Sequence, residues 1–307
     1  MTTNPSQAEA VLNTVAWYGR LGRPLTAFEV WRASDATASF PEIAHIIETL
    51  VHSGRLREAD GFLTLPDVLN GFSLARRVQD FAADRKWRRL RRLARLFRHL
   101  PFVDFVFASG SMALGNVTAS SDFDLLIGVR HGRLFSARYF ALALFATFGV
   151  RRTNDREDSS PNKLCLNHLV TEASYGKPPW NRYRRELYRN LVPLSGKRDA
   201  LAAFREANRP AGPPATDECD LRYVGGPPSA AARFLEFVLG GRLGDLVERT
   251  IAAPVARRRL NRYLARREYR GLSTSASRVV ISNEELEFHF DLRYETGLAP
   301  ARGSGTY

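Results

Sequence analysis

The stretch FASGSMALGNVTASSDFDLLI, residues 107–127, places small and polar residues between two apolar runs. One apolar run ends at Gly110 and Ser111, and a second apolar run begins around Asp122 and Asp124. Because side chains alternate along a strand, the two aspartates are expected on one face of a β-strand. Two like charges at the mouth of a buried strand repel each other, and their burial without a cation is costly. A bound metal ion would remove that cost.

The small residues between the two apolar runs suit a phosphate group. With no side chain at Gly110, backbone amides can approach a phosphate closely, and the Ser111 hydroxyl can donate a hydrogen bond to it. Carboxylates such as Asp122 and Asp124 can hold one or two Mg²⁺ ions, which bridge to triphosphate oxygens. The sequence therefore predicts a site for Mg²⁺ and a nucleoside triphosphate.

This pattern of Gly-Ser, ten residues and Asp-x-Asp resembles that of the nucleotidyltransferase superfamily of the DNA polymerase beta type. It is most similar to the small prokaryotic members, the minimal and the aminoglycoside-modifying nucleotidyltransferases. The resemblance covers residues 100–172. It implies an α/β (α+β) fold, with a small mixed sheet of nucleotidyltransferase type flanked by helices.

The resemblance also implies an activity, the Mg²⁺-dependent transfer of a nucleoside monophosphate from an NTP to a hydroxyl. The acceptor would be a small molecule, a protein or an RNA end. Asp122 and Asp124 would be the catalytic carboxylates and ligate the magnesium ions. The nucleotide would be bound by Gly110, Ser111 and Ser121.

The sequence departs from the family's pattern at the third acidic residue, which active members carry on a later strand. That strand is expected in NKLCLNHLV, residues 162–170, whose polar interruptions are Asn167 and His168. Asn167 can coordinate a metal through its carbonyl but cannot accept a proton, whereas His168 can accept a proton but is a poorer ligand for Mg²⁺. Two hypotheses follow: a slow enzyme, or a catalytically degenerate protein of the same fold that binds nucleotides or nucleic acid.

Both residues also have structural interpretations. His168 would then be a hydrogen-bonded histidine at the sheet boundary, and Asn167 a capping or bulge residue. The acidic residues nearest to the strand are Glu172, just past its end, and those of DRED, residues 155–158, before it.

The first seventy residues predict a separate module. The capping-box spacing at Thr26 and again at Ser39 begins two helices after an apolar helix pattern over residues 8–18, and Asp60-Gly61 predicts a hairpin turn. Three helices and a small hairpin resemble a winged helix-turn-helix, so a DNA-binding regulator is a third hypothesis. Acidic residues on a recognition helix oppose the approach of phosphate, which favours a structural or docking role. The third helix would expose Glu42, His45, Glu48, Thr49 and His52.

Two segments account for the net charge of +13. Residues 76–100 carry ten Lys and Arg against two Asp, and residues 257–270 carry seven Arg against one Glu. The first segment predicts a helix with arginines opposite an apolar stripe, and the second interleaves arginine with Tyr263 and Tyr269. Each segment is either a solvated helix face or an attractor for nucleic acid or nucleotide phosphates. The predicted stripe consists of Trp87, Leu90, Ala94 and Phe97.

The composition of the 307 residues and their Pro- and Gly-rich segments predict the domain organisation. We expect a winged-helix-like domain over 1–72, a nucleotidyltransferase domain over 73–207 that includes the basic helix, and a mainly helical region with a Pro/Gly-rich loop and a short hairpin over 208–307. Two distant cysteines indicate neither a disulfide framework nor a zinc site. The N-terminus lacks a signal-peptide pattern, and the apolar part of residues 133–152 is too short to cross a bilayer. These features predict a cytoplasmic protein with no membrane partner.

Overall fold

The computed structural model describes residues 5–152, 161–176, 180–217, 219–269 and 278–289. The chain divides into two compact units. Of the described residues, one unit comprises 5–84 and 115–118, and the other comprises 85–114 and those from 119 onward. The domain boundaries expected from the sequence, after residues 72 and 207, stay predictions.

The first unit begins with three helices and a hairpin. The helices are α1 (Pro5–Arg20), α2 (Ala27–Ala33) and α3 (Phe40–His52), and the hairpin joins β1 (Arg57–Ala59) to β2 (Phe62–Thr64). Both expected capping boxes are present, at the starts of α2 and α3. Asp60 and Gly61 connect the strands with φ angles of 52° and 79°, which a two-residue turn of this kind requires. The core of this unit includes Val11, Val15, Val30, Ile43, Ile46 and Leu63.

A six-stranded mixed sheet forms the centre of the second unit, which confirms the mixed α/β architecture. The strand order is β6-β3-β4-β5-β8-β7. Only the β4–β5 pair is parallel, and the other neighbours are antiparallel. The strands are β3 (Val103–Ala108), β4 (Phe123–Val129), β5 (Leu164–Val170), β6 (Val192–Gly196), β7 (Arg278–Ile281) and β8 (Glu285–His289).

Helices supply the remaining described secondary structure. They are α4 (Phe72–Ala94), α5 (Gly110–Leu114), α6 (Leu134–Thr147), α7 (Arg182–Arg189), α8 (Arg198–Ala207), α9 (Ala230–Leu239), α10 (Arg242–Val247) and α11 (Ala253–Tyr269). The boundary between the two units falls within α4, after Asp84. Short 3₁₀ turns lie at Arg95–His99, Glu172–Ser174 and Arg209–Ala211. A π-helical turn, Glu248–Ala252, joins α10 to α11. Among the described residues no helix combines the length and hydropathy needed to cross a bilayer.

Two expectations need correction. In α4 the residue Trp87 is half-buried, and Lys86 occupies the buried position instead, because Ala82, Lys86 and Leu90 are spaced four apart on the inner face. The expected hairpin of β7 and β8 exists, but β8 also pairs with β5 and so extends the central sheet.

Candidate metal centre

Asp122 and Asp124 lie at the start of β4, on the face opposite Phe123. Phe123 is fully buried, whereas both aspartates are half-buried. Their carboxylate oxygens and the Sγ atom of Cys165 all lie within 4.8 Å of one another. Cys165 is the residue of β5 that pairs with Asp124 across the parallel ladder. The strand pairing therefore brings two carboxylates and a thiol together at one point of the sheet.

Gly110 packs directly against the Asp124 carboxylate. It follows β3 with a φ of +55°, and a Cβ atom at this position would lie 2.2 Å from Oδ2 of Asp124. The Ser109 amide donates to the Asp124 carbonyl oxygen at 2.9 Å, which fixes the end of β3 beside β4. A side chain at Gly110 would thus be excluded twice, by the backbone conformation and by the carboxylate.

The other two expected nucleotide-binding residues differ in what surrounds them. Ser111 is half-buried in the first turn of α5, directly after Gly110. The carbonyl oxygen of Ser121 accepts hydrogen bonds from Lys86 Nζ at 2.6 Å and from the Asn162 amide at 3.1 Å. The segment just before Asp122 is therefore anchored through its backbone.

A bulge in β5 brings Asn167 to the aspartates. Between the pairs Asp124↔Cys165 and Leu126↔His168, β5 has two residues where β4 has one. Asn167 Nδ2 donates to Oδ1 of Asp124 at 2.8 Å. Its own Oδ1 atom is buried and has no hydrogen-bond partner among the described residues. Of the two residues expected near the third ligand position, Asn167 is the one that reaches the carboxylates.

His168 belongs to a different cluster. Its Nε2 atom lies 3.1 Å from Oε1 of Glu285 on β8, and the ring is almost fully buried. Glu287 completes this group, whose ligand atoms lie within 4.8 Å of one another. Glu172 is exposed in its 3₁₀ turn, and the expected acidic segment 155–158 lies outside the described residues. The structural interpretation of His168 as a hydrogen-bonded histidine agrees with this geometry.

Arg152 neutralises part of the acidic site. Its guanidinium forms a hydrogen-bonded ion pair with Asp122 and lies 3.8 Å from Cys165 Sγ. Burial opposes the charge of Arg152, but the surrounding acidic groups raise its pKa overall. Burial, together with the charges of Asp124 and Asp122, raises the pKa of the Cys165 thiol. Cys165 therefore stays a thiol at neutral pH, which is a poor ligand for a hard cation.

Lys86 and Arg152 are the residues of this site that the sequence pattern did not reveal. Lys86 Nζ donates to the Ser121 carbonyl and to Asn162 Oδ1 at 3.1 Å, and it lies 5.7 Å from the centre of the Phe123 ring. Burial lowers the pKa of Lys86, and the charge of Asp122 opposes that shift. The available signal was a lysine on the apolar face of α4; nothing comparable marks Arg152.

The donor set fits Mg²⁺ better than a softer ion. The two carboxylates are hard oxygen ligands, which Mg²⁺ prefers. The Asn167 amide donates to Asp124 through Nδ2, and its oxygen would face the same ion after a rotation of the amide. Binding of a metal to Asp122 would require its carboxylate to exchange the Arg152 guanidinium for the ion. Comparison of the chain with protein-family models, curated proteins and solved structures found no match. The geometry of this site is therefore the basis on which a function can be assigned.

Proposed function

We propose that the protein is an Mg²⁺-dependent nucleotidyltransferase that moves a nucleoside monophosphate from an NTP to a hydroxyl acceptor. One observation carries the proposal: the carboxylates of Asp122 and Asp124 lie together beside Gly110, and the side-chain amide of Asn167 contacts Asp124 through Nδ2. Paired carboxylates next to a residue that must be glycine are the arrangement that the sequence resemblance implies.

The chain's own residues have distinct parts in this proposal. Asp122, Asp124 and the Asn167 carbonyl would hold Mg²⁺, which when bound neutralises charge on the triphosphate. Gly110 leaves room for a phosphate at the backbone, and Ser111 would donate to it. Arg152, released from Asp122, would be free to pair with a phosphate oxygen. Lys86 acts as a positioning residue, because it holds the backbone just before Asp122.

Turnover is expected to be slow. Asn167 stands where a third carboxylate would accept the proton of the attacking hydroxyl, and an amide cannot accept it. Loss of one stabilising group typically lowers a rate by about 10²- to 10³-fold. The proton would pass to solvent, so the rate should rise with pH.

A second candidate function is nucleotide binding without turnover. The Arg152 guanidinium on Asp122 favours it, since this ion pair already supplies positive charge where a metal ion would. In such a degenerate centre, nucleotide binding would not require Mg²⁺, and Asp122 would serve to hold Arg152.

Transfer of label from α-³²P NTPs to total RNA, protein and small-molecule fractions separates the two candidates. The first predicts Mg²⁺-dependent labelling that is lost in Asp122→Asn and Asp124→Asn. The second predicts nucleotide binding in EDTA with no labelled product. Absence of both binding and labelling would contradict both candidates. Cys165→Ser serves as the matched control, because it changes the third member of the cluster without removing a proposed ligand.

For the first unit we propose a winged-helix-like module that docks a partner instead of reading DNA. Three helices followed by a two-stranded hairpin support this assignment. Helix α3 exposes Glu42 and Glu48, which oppose DNA phosphates. Specific retardation of a DNA fragment at physiological salt, abolished by changes in α3, would contradict the docking role.

A further inference from the structure

Arg23 forms hydrogen bonds both to helix α2 and to the segment of chain that lies between Ser111 and Asp122. Its Nη1 atom donates to the Gly115 carbonyl oxygen, and its Nη2 atom donates to Oε1 of Glu29 at 2.8 Å. The Arg23 side chain is only 16% exposed. One guanidinium group therefore joins residues that are 92 positions apart in the sequence.

Glu29 is held by further hydrogen bonds, so it fixes the direction of the Arg23 side chain. Its Oε2 atom accepts from the Thr26 amide at 2.9 Å, as part of the α2 capping box. The buried Arg76 donates to both carboxylate oxygens of Glu29, at 2.8 and 2.9 Å. Arg76 also donates to the carbonyl oxygen of Pro24, which follows Arg23 in the chain. The Arg23 guanidinium therefore cannot turn away without losing its bond to a fixed carboxylate.

Gly115 admits the guanidinium because it has no side chain. Its φ of +75° is left-handed, and a Cβ atom at this position would overlap the Arg23 guanidinium. Residues 116–118 form neither helix nor strand, so their backbone groups need partners outside regular secondary structure. Val117 is fully buried in the same segment. Residues 115–118 group with residues 5–84, so the whole network lies within the first unit.

The position of this segment in the chain links it to the proposed function. It follows α5, which begins with Gly110 and Ser111, and it precedes the two aspartates at the start of β4. In the proposed function the Gly-Ser turn binds the triphosphate and the aspartates bind Mg²⁺. Their separation decides whether triphosphate and metal meet, and a misplacement of about 1 Å can lower a rate about 10²-fold.

We propose that Arg23 is a positioning residue for the nucleotide site. By fixing the Gly115 carbonyl oxygen, it holds the turn at Gly110 in place relative to the two aspartates. Arginine suits this role because its planar fork donates to Glu29 and to Gly115 at the same time, which a lysine ammonium does not do with fixed geometry. The effect on the nucleotide rests on the proposed function, whereas the anchoring of residues 115–118 does not.

Hydrogen exchange followed by mass spectrometry tests the anchoring by itself. In Arg23→Gln the peptide that covers residues 112–121 should exchange at least tenfold faster than in the unchanged protein. Arg55→Gln is the matched control, because Arg55 forms an exposed ion pair with Glu9 at 2.9 Å in the same unit. It removes the same charge and should leave the exchange of this peptide unchanged.

Labelling with α-³²P NTPs and nucleotide affinity measure the effect on the site. At saturating NTP, Arg23→Gln should lower kcat about 10²-fold, and it should weaken nucleotide binding at least tenfold. Ile43→Val is the control for stability, because Ile43 is fully buried in the core of the same unit on α3. It should lower the Tm but leave kcat and the exchange of residues 112–121 unchanged. A role of Arg23 in stability alone would give the two variants the same kcat well below their Tm.

A cycle of two substitutions identifies the contact that carries the effect. Gly115→Ala should displace the Arg23 guanidinium and lower kcat to about the same degree as Arg23→Gln. The two substitutions together should lower kcat little more than either alone, because both break one contact. Losses that multiply in the double variant would contradict the proposal.

Two further results would overturn the proposal: unchanged exchange of residues 112–121 in Arg23→Gln, or faster exchange with kcat and nucleotide affinity both unchanged. Asp122→Asn separates the anchoring from the proposed function, since it should abolish labelling and leave the exchange of this peptide unchanged. A protein that neither binds nucleotide nor labels an acceptor would contradict the proposed function and the positioning role with it. The exchange measurement would then show separately whether Arg23 anchors the segment.

Discussion

Gly110 joins the conformation of the backbone to the geometry of the acidic site. Its left-handed φ and the 2.2 Å separation between a hypothetical Cβ and Asp124 Oδ2 each exclude a larger residue. We expect Gly110→Ala to lower the free energy of unfolding by about 3 kcal/mol, the sum of a left-handed penalty and a steric one. Chemical denaturation followed by circular dichroism measures this change.

Gly149→Ala is the matched control, because Gly149 has a φ of +63° and nothing within 4 Å of its hypothetical Cβ. It should cost about 1 kcal/mol, the left-handed penalty alone. An equal loss of unfolding free energy in the two variants would show that the Asp124 carboxylate does not obstruct a side chain at position 110.

Asn167 offers a gain-of-function prediction. Replacing it with Asp turns the 2.8 Å hydrogen bond to Asp124 into a contact between carboxylates, which should lower the Tm without metal. Mg²⁺ should then restore the Tm, and its stabilising effect should exceed that in the unchanged protein because three carboxylates attract the ion more strongly. Asn167→Ala should show neither effect. A Tm of the Asp variant that does not respond to Mg²⁺ would argue against a metal site.

The start of helix α2 is expected to make the stability of the fold depend on pH. Its capping residue Glu29 accepts hydrogen bonds from Arg23 Nη2 and Arg76 Nη2, each at 2.8 Å. Burial would raise the pKa of Glu29, but the Arg76 hydrogen bond and the charge of Arg23 outweigh it and lower the pKa to about 2. Because the folded pKa lies below the ordinary value of 4.5, the carboxylate stabilises the fold above that value.

That contribution should disappear as the pH falls from about 4.5 towards 2. Relative to Glu29→Gln, the unchanged protein should be more stable at pH 6 by about 2 kcal/mol, and the difference should shrink towards zero near pH 2. The comparison is Glu42→Gln, since Glu42 caps α3 with Ser39 and has no arginine partner among the described residues. Hydrogen bonds from Ser39 lower the pKa of Glu42 as well, and because this residue is exposed its pH-dependent difference should be the smaller of the two. Urea titrations across this pH range measure both; a difference that is constant with pH would contradict the assignment.

Signals between neighbouring residues predicted the helices, strands and turns well. The pairing of strands that are distant in the sequence was predicted poorly. Three features depend only on residues close to one another in the sequence, and the sequence therefore predicted them: the capping boxes, the Asp60-Gly61 turn and the two strands around Gly110. The pairing of β8 with β5 joins residues more than a hundred positions apart, and no local pattern encodes it. The sequence did not predict the burial of Lys86, because charged residues on a basic helix are normally solvated.

The same distinction applies within the acidic site. Asp122 and Asp124 share a face because strand alternation requires it, and the spacing to Gly110 follows from two adjacent strands. The ion pair between Arg152 and Asp122 and the bulge at Asn167 depend on how β5 aligns with β4. A single sequence does not specify the register of β5 against β4. The sequence therefore indicated Asn167 and His168 as the two residues near a third ligand position but did not show which of them contacts the aspartates.

For the whole molecule, the net charge of +13 predicts weak, salt-dependent binding of nucleic acid. Affinity for a single-stranded oligonucleotide should fall as salt rises, with a logarithmic slope of about −0.7 for each phosphate contacted. Filter binding between low and physiological salt measures this slope. No binding at low salt would show that the basic segments at 76–100 and 257–270 are only solvated faces.

We propose that Asp122 and Asp124 bind a divalent ion together with a nucleoside triphosphate. Calorimetric titration of the four common triphosphates in millimolar Mg²⁺ measures this binding, with EDTA and Asp124→Asn as controls. We predict binding heat with at least one triphosphate, and its loss in both controls. Absence of heat with all four, or undiminished heat in Asp124→Asn, would contradict the claim.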